Sequence, residues 1–362
     1  MFPARSLNAI VGVSDSFKSF LAIHLACCIA TGTPFFGKDM HQGPILFLAP
    51  EGGEGVPKRR ETWKIEHGWQ DCYVPFFTRS ASFSFSDEDD LQFLRSKLNV
   101  ASEFAAERNK RQAILDQDLP QVALDAAYYP EAQWRKKLEK FVQDNDCEKI
   151  GVTELDPSWL FEGERTEFRH VIIAAVHHDY ERISKAPNPI AGAEVMVQYT
   201  RAASVAKKIA AWLHQEGWEA EPVTGPMASR LAMIPAAIQA GFGELGKHGS
   251  LINPEFGSSF RLSAVLTNAP LPLDEPQTHG VDDFCSSCKI CEDACPPFAI
   301  TADKQLVRGI EKWYVDFDRC LPFFNEHQGC AICIAECPWS RPGVGLNLAK
   351  KLARKSLKTN DQ

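Results

Sequence analysis

The chain has 362 residues, 44% of them hydrophobic and 24% charged, and a formal net charge of −8. That length fits two or three domains, and an apolar share of this size excludes wholesale disorder. The acidic balance argues against a protein built mainly to grip nucleic acid, and no apolar run reaches the roughly 18 residues of a membrane-spanning helix.

In chain order, Leu7–Val11 reads as a short strand, Gly12–Ser19 as a polar loop, Phe20–Thr31 as a helix stopped by Gly32, and Pro44–Ala49 as a buried parallel strand. This is a βαβ start. Ser84–Asp90 is polar and acidic, and Leu91–Gln117 is helix-forming with weak apolar periodicity. From about residue 130 an α/β pattern resumes. Helices are expected at Ala132–Gln143, Val195–Glu216 (capped by Gly217) and Leu231–Ala240. Strands are expected at Lys149–Thr153, His170–Val176 and Phe260–Thr267. The expected fold class is α/β. Its domains run 1–97, a seam or linker at 98–129, 130–281, 282–345 and a basic tail at 346–362.

Eight of the twelve cysteines fall between residues 285 and 337. Cys285-x2-Cys288-x2-Cys291-x3-Cys295-Pro296 has the spacing of bacterial two-cluster ferredoxins, in which the fourth cysteine of the run serves the other cluster. The second group is Cys330-x2-Cys333-x3-Cys337-Pro338, preceded by Cys320. Crossing over in this way gives cluster one Cys285, Cys288, Cys291 and Cys337, and cluster two Cys295, Cys320, Cys330 and Cys333. Structural zinc is the alternative, but zinc motifs pair two C-x2-C units and do not run three cysteines in a row. Two [4Fe–4S] clusters imply a relay of single electrons. Cys27, Cys28, Cys72 and Cys147 are scattered and read as small apolar side chains.

The segments 171–187 (VIIAAVHHDYERISKAP), 198–218 (QYTRAASVAKKIAAWLHQEGW), 241–268 (GFGELGKHGSLINPEFGSSFRLSAVLTN), 284–300 and 320–343 resemble the cobalamin-dependent reductive dehalogenases and the related epoxyqueuosine reductases. The resemblance implies a nitroreductase-like α/β domain holding a base-off corrinoid, followed by a ferredoxin-like double-cluster segment. It implies Tyr199 as proton donor and Arg261 as the guanidinium that stabilises its phenolate. Asp179, in His-Asp-Tyr, matches the acidic donor of the epoxyqueuosine reductases. Each has a plainer reading, as a half-buried helix residue, a strand residue and a cap respectively. His177 and His178 read as structural. Gly241, Gly243, Gly246 and Gly249 would let backbone approach a flat macrocycle, or would only make turns.

The acidic chain and the short stretch after Pro342 lean away from a transfer RNA substrate and toward a small molecule, halogenated in the dehalogenase reading. No export signal or fused flavin module is read. A cytoplasmic location is therefore expected, with an external ferredoxin or flavodoxin reductase system as electron donor, no membrane and no nucleic acid. The alternatives are an epoxyqueuosine reductase, a two-cluster carrier without corrinoid, and a nucleotide-binding replication protein.

That last alternative comes from the N-terminus. Gly12-Val-Ser-Asp-Ser-Phe-Lys-Ser19 is near a Walker A loop, with Phe17 in place of the second glycine. With its surroundings it resembles RecA-like ATPases of the replicative-helicase type, which implies Lys18 on the β/γ phosphates, Ser19 on Mg²⁺ and Glu51 polarising the attacking water. The resemblance stops near residue 97, and no Walker B strand is found between 97 and 130. The expectation is a partial P-loop segment, from a gene fusion or an assembly chimera, without ATP hydrolysis. An ATP-driven reductase activator would require Lys18-dependent turnover.

Overall fold

The structure, a computed structural model, describes residues 18–43, 45–49, 55–69, 74, 76–79, 103–225, 230–307, 309–326 and 329–360. The expected strand Leu7–Val11, the Gly12 loop up to Phe17, Glu51, Cys72 and Ser84–Asp90 lie outside the described residues. The chain divides into two compact units, Met1–Ala105 and Ala106–Gln362.

In the first unit α1 (Lys18–Thr31) precedes β1 (Ile45–Leu48), α2 (Gly55–Glu66) and β2 (Phe76–Arg79). β1 and β2 pair in parallel, Ile45 opposite Phe76, as a βαβ connection requires. Ile23, Cys27 and Cys28 of α1 pack with Val56 and Trp63 of α2 and with Phe76. Cys27 and Cys28 are thus core side chains, and burial pushes the Cys27 thiol up to about 12.

A helix over residues 103–115, α3, carries the boundary between the units. The second unit continues with α4 (Glu131–Asp144), β3 (Lys149–Glu154), β4 (His170–His177), α5 (Tyr180–Ile183), α6 (Pro189–Gln215), β5 (Ala220–Val223), α7 (Met233–Gln239), β6 (Glu244–Leu245), β7 (Leu251–Ile252) and β8 (Phe260–Thr267). β3, β4, β8 and β5 form one antiparallel sheet in that order. Ile172, Ala174 and Val176 of β4 face α4 and α6, packing with Trp134, Leu138, Ala206 and Leu213. Val171, Ile173 and Ala175 face the other way, against Ala236, Ala237 and Phe242. Successive strand side chains alternate faces, so a central strand covered on both sides must be apolar throughout, as HVIIAAV is.

The remaining elements carry the cysteines: α8 (Val281–Ser287), α9 (Ile290–Asp293), the hairpin β9 (Gln305–Val307) and β10 (Ile310–Lys312), α10 (Phe317–Glu326), α11 (Ile332–Glu336) and α12 (Val344–Asn360). The basic tail is helical, and its Leu348 and Leu352 pack on the core that holds Cys285, Cys337 and Trp339.

Candidate active site and iron–sulfur centre

Short helices and tight turns present the eight clustered thiols. Cys285 lies in α8 and Cys288 at its C-cap, Cys291 in α9, Cys320 in α10, and Cys333 in α11. Cys337 joins α11 to the 3-10 turn Pro338–Ser340. Cys285, Cys291 and Cys337 are buried, as is Cys295. Burial pushes the Cys285 thiol up to about 11 and Cys291 up to about 12, and neighbouring thiols add to both shifts. The neighbours sort into two sets. Cys285 and Cys291 feel Cys337 and Cys288, whereas Cys330 feels Cys320 and Cys295, and Cys333 feels Cys330, Cys295 and Cys320. Cys333 also feels Cys291, where the two sets approach.

Among the described residues no three His, Cys, Asp or Glu side chains converge on a single ion position. Binding of an iron–sulfur cluster would displace the thiol protons. Backbone N–H groups help to hold the sulfurs: Ala299 donates to Cys295 at 3.4 Å, and Trp339 and Ser340 donate to Cys337.

Beside cluster one lies a cavity of about 590 Å³, walled by Phe161, Leu231, Met233 and Phe260 among others, with Tyr199 and Arg261 on its lining. Tyr199 comes from α6 and Arg261 from β8, and the Arg261 guanidinium stands 5.0 Å from the centroid of the Tyr199 ring. The structure therefore brings this sequence-identified pair together. Arg261 Nε is buried with no hydrogen-bond partner among the described residues.

Asp179 is not part of this wall. It caps α5, accepting from Glu181 N at 2.8 Å, and its own N–H donates to Glu194 Oε1 at 2.8 Å. His178 is buried behind Arg261, and burial together with that guanidinium holds its pKa well below the usual imidazole value.

The four loop glycines meet protein. A Cβ on Gly241 would lie 2.8 Å from Glu275 O, and one on Gly249 2.9 Å from Val315 Cγ2. On Gly243, at φ +134°, it would strike the Ile252 carbonyl, and on Gly246 it would strike the Ile252 side chain. These glycines make the tight turns that deliver Ser250 and Leu251 to the cavity.

Lys18 and Ser19 begin α1. Glu51 lies outside the described residues, so the nucleotide trio is not assembled within them.

Sequence reasoning missed Ser258, Arg111 and Lys247. Ser258 lines the cavity, and its hydroxyl acts on Cys337 to lower the pKa of that thiol. Its Oγ is 3.0 Å from Ser340 Oγ, so one residue touches both cavity and cluster. Arg111, from α3, donates to Gly225 O at 2.6 Å at the cavity edge. Lys247 is buried to 2% exposure beside Cys285. None belongs to a spacing motif, and only packing across the chain reveals them.

Comparison with known proteins agrees with this layout. Residues 284–340 match the 4Fe-4S dicluster domain model, and residues 1–133 match an AAA domain model, which runs past the expected end near 97. The tetrachloroethene reductive dehalogenase of Desulfitobacterium hafniense is 34% identical over 218 residues, 56% of this chain and 39% of that protein. The epoxyqueuosine reductase of Escherichia coli strain K12 is 33% identical over 124 residues, 30% of this chain and 29% of its own length. The homologues are thus reductive dehalogenases and epoxyqueuosine reductases, and the chain spans less than half the length of these relatives. A catabolic reductive dehalogenase solved with 3-bromo-4-hydroxybenzoic acid shares the fold at a TM-score of 0.62 and 23% identity, over 68% of this chain and 38% of that one. The cysteine segment is a two-cluster [4Fe–4S] domain. Among the described residues no helix is long and apolar enough to cross a membrane.

Proposed function

We propose that the chain is an iron–sulfur oxidoreductase of the reductive-dehalogenase type. Electrons from an external ferredoxin or flavodoxin-type system pass through cluster two and cluster one to a small molecule in the cavity. The observation that carries this reading is the Ser258–Cys337 contact, which sets cluster one against the wall that holds Tyr199 and Arg261. The volume is that of a small-molecule site.

The residues present also fit a corrinoid bound without a protein ligand on its metal. His248, the buried imidazole of the adjoining turn, accepts Ser250 N–H on Nδ1 at 3.1 Å, so its proton sits on Nε2 and it offers a donor, not a lone pair. A corrinoid is larger than this cavity, so in a nitroreductase-like setting the apolar wall of Leu231, Met233 and Phe260, with Ser250 and Ser258 at its edge, would meet only part of the group. When bound, a corrinoid supplies a cobalt centre reducible to Co(I). Tyr199 then holds the proton the reduced substrate needs, and Arg261 holds the charge that its departure leaves on the phenol oxygen. Asp179 off the cavity wall favours this arrangement over that of the epoxyqueuosine reductases. The soluble compartment we infer is the cytoplasm. The first unit, with Lys18 and Ser19 on its leading helix, takes no part in the proposed reaction, and ATP turnover is not expected.

Anaerobic purification from a cobalamin-supplied host tests the reading. About eight iron and about one cobalt per chain are expected. Tyr199→Phe should keep that metal content and lose on the order of 100-fold or more in substrate reduction. Iron without cobalt after refolding with cobalamin would reduce the protein to an electron carrier. Reduction confined to transfer-RNA-borne epoxyqueuosine would move it to the other branch.

A further inference from the structure

We propose that Lys247 is a charge built in to hold the electron on cluster one, the cluster next to the cavity. The inference rests on the two-cluster reading above. It concerns how the protein makes two chemically alike clusters unequal.

Lys247 sits in the turn between β6 and β7, whose chain is drawn tight by Gly246 N–H donating to Ser250 O and Gly249 N–H donating to Gly246 O, each at 2.9 Å. The turn drives the side chain inward, to 2% exposure. Its backbone N–H and its ammonium both act to lower the pKa of the Cys285 thiol, and the ammonium acts likewise on Cys291. Nζ stands 5.1 Å from the centre of the Trp313 ring, which packs in the same core as Cys285 and Cys337.

A buried ammonium needs compensation. Among the described residues it has one carboxylate partner, Glu292 Oε2, at a long 3.4 Å. That carboxylate is 23% exposed, so water screens its field in part and it offsets the ammonium only incompletely. The partner that completes the compensation is the cluster itself, an anion that gains one further negative charge on reduction. A nearby fixed cation favours the more negative form, so cluster one is the easier of the two to reduce.

Among the described residues Lys247 is the one buried lysine or arginine, and none is buried beside cluster two. The side chains that act most on Cys320, Cys330 and Cys333 are other thiols. Arg319 adjoins Cys320 but is 61% exposed and paired with Asp316 at 3.2 Å. On the cluster-one side Lys289 is exposed, and Lys304 is held by Asp282 at 2.6 Å. The asymmetry therefore lies in one buried residue. An electron from the donor enters cluster two, leaves it oxidised again, and comes to rest on cluster one beside Ser258.

The test is a dithionite-reductive potentiometric titration of the purified, iron-loaded protein, followed by electron paramagnetic resonance. Lys247→Met keeps the volume and removes the charge. One of the two reduction steps should move to lower potential, the other should stay, and iron content should be unchanged. Glu292→Gln should move the same step the opposite way, and Lys247→Arg should restore it. The step that moves should be the one missing in Cys337→Ala. If both steps stay put in Lys247→Met, or if the step that moves survives Cys337→Ala, the inference is wrong. Should Lys247→Met lose iron, Glu292→Gln decides alone: an unmoved step overturns the proposal. Wild-type protein that holds fewer than two clusters would instead sink the two-cluster reading.

Discussion

His248 follows Lys247 in the β6–β7 turn and is 5% exposed, with Nε2 unpaired. Burial lowers its pKa from 6.5 to about 4. Between those values the unfolded chain binds a proton that the folded chain refuses. Stability is therefore unaffected above pH 6.5 and falls as pH drops toward 4. At about 1.4 kcal/mol per unit, the loss is about 2 kcal/mol by about pH 5. Buried His178, lowered for the same reason, adds to the loss with the same sign. His248→Asn keeps an acceptor for Ser250 N–H and removes the titration. Its melting temperature should fall less than that of the wild type between about pH 7.5 and about pH 5, and equal falls would show that His248 is not the group responsible. At this scale the sequence was legible only in part. The cysteines announced themselves by spacing, and Tyr199 and Arg261 were reached through resemblance. His248, Lys247 and Ser258 carry no pattern, because what marks them is burial by segments distant in sequence.

The elements were more legible where a single face or strand decides the pattern. β4 and β8 stand within a residue of their expected bounds. α6 does not, beginning at Pro189 where Val195 was expected. Proline is suited to the first helical turn, and Asn188 caps it, accepting from Ile190 N at 3.0 Å. β5 escaped notice because Pro222 interrupts it. It is an edge strand, where a missing N–H costs little. The added first turns of α6 carry Glu194, a carboxylate 3% exposed that accepts from Asp179 N–H and from Gln198 Nε2 at 2.6 Å and pairs with Arg182 at 3.2 Å. It ties α5 to α6. Glu194→Ala would remove the buried acceptor of a backbone amide and of the Gln198 side chain and an ion pair of Arg182, at a cost of about 3 kcal/mol. Glu194→Gln, which keeps an acceptor, should cost less. Denaturant midpoints of the two variants compare them directly, and equal midpoints would show that the acceptor kept by glutamine contributes nothing.

For the molecule as a whole the sharpest question is where the second unit begins. Spacing and composition put a linker at 98–129, whereas the chain divides between Ala105 and Ala106. Residues 107–127 are bonded repeatedly to the second unit. Thr200 Oγ1 donates to Glu107 O at 3.2 Å, Arg111 donates to Gly225 O at 2.6 Å, and Lys207 Nζ donates to Gln117 O at 2.6 Å. Further on, Ala123 N–H donates to His214 O at 2.8 Å and Trp218 Nε1 donates to Ala127 O at 2.9 Å. Gly217, at φ +80°, passes so close to Asp125 O that a Cβ there would strike it. A flexible tether forms none of these contacts, and its weak apolar periodicity hid them, because most are polar bonds to backbone. Two truncations separate the alternatives. A chain beginning at 106 keeps every one of these bonds and should hold as much iron as the full chain, with a comparable melting temperature. A chain beginning at 130 loses about five hydrogen bonds at roughly 1 kcal/mol each, uncovers the α6 face that Leu119 packs against, and should melt markedly lower or fail to retain iron. Two chains that both hold iron and melt alike would restore the linker. Failure of both, with the full chain intact, would show that residues before 106 are needed for the second unit to fold.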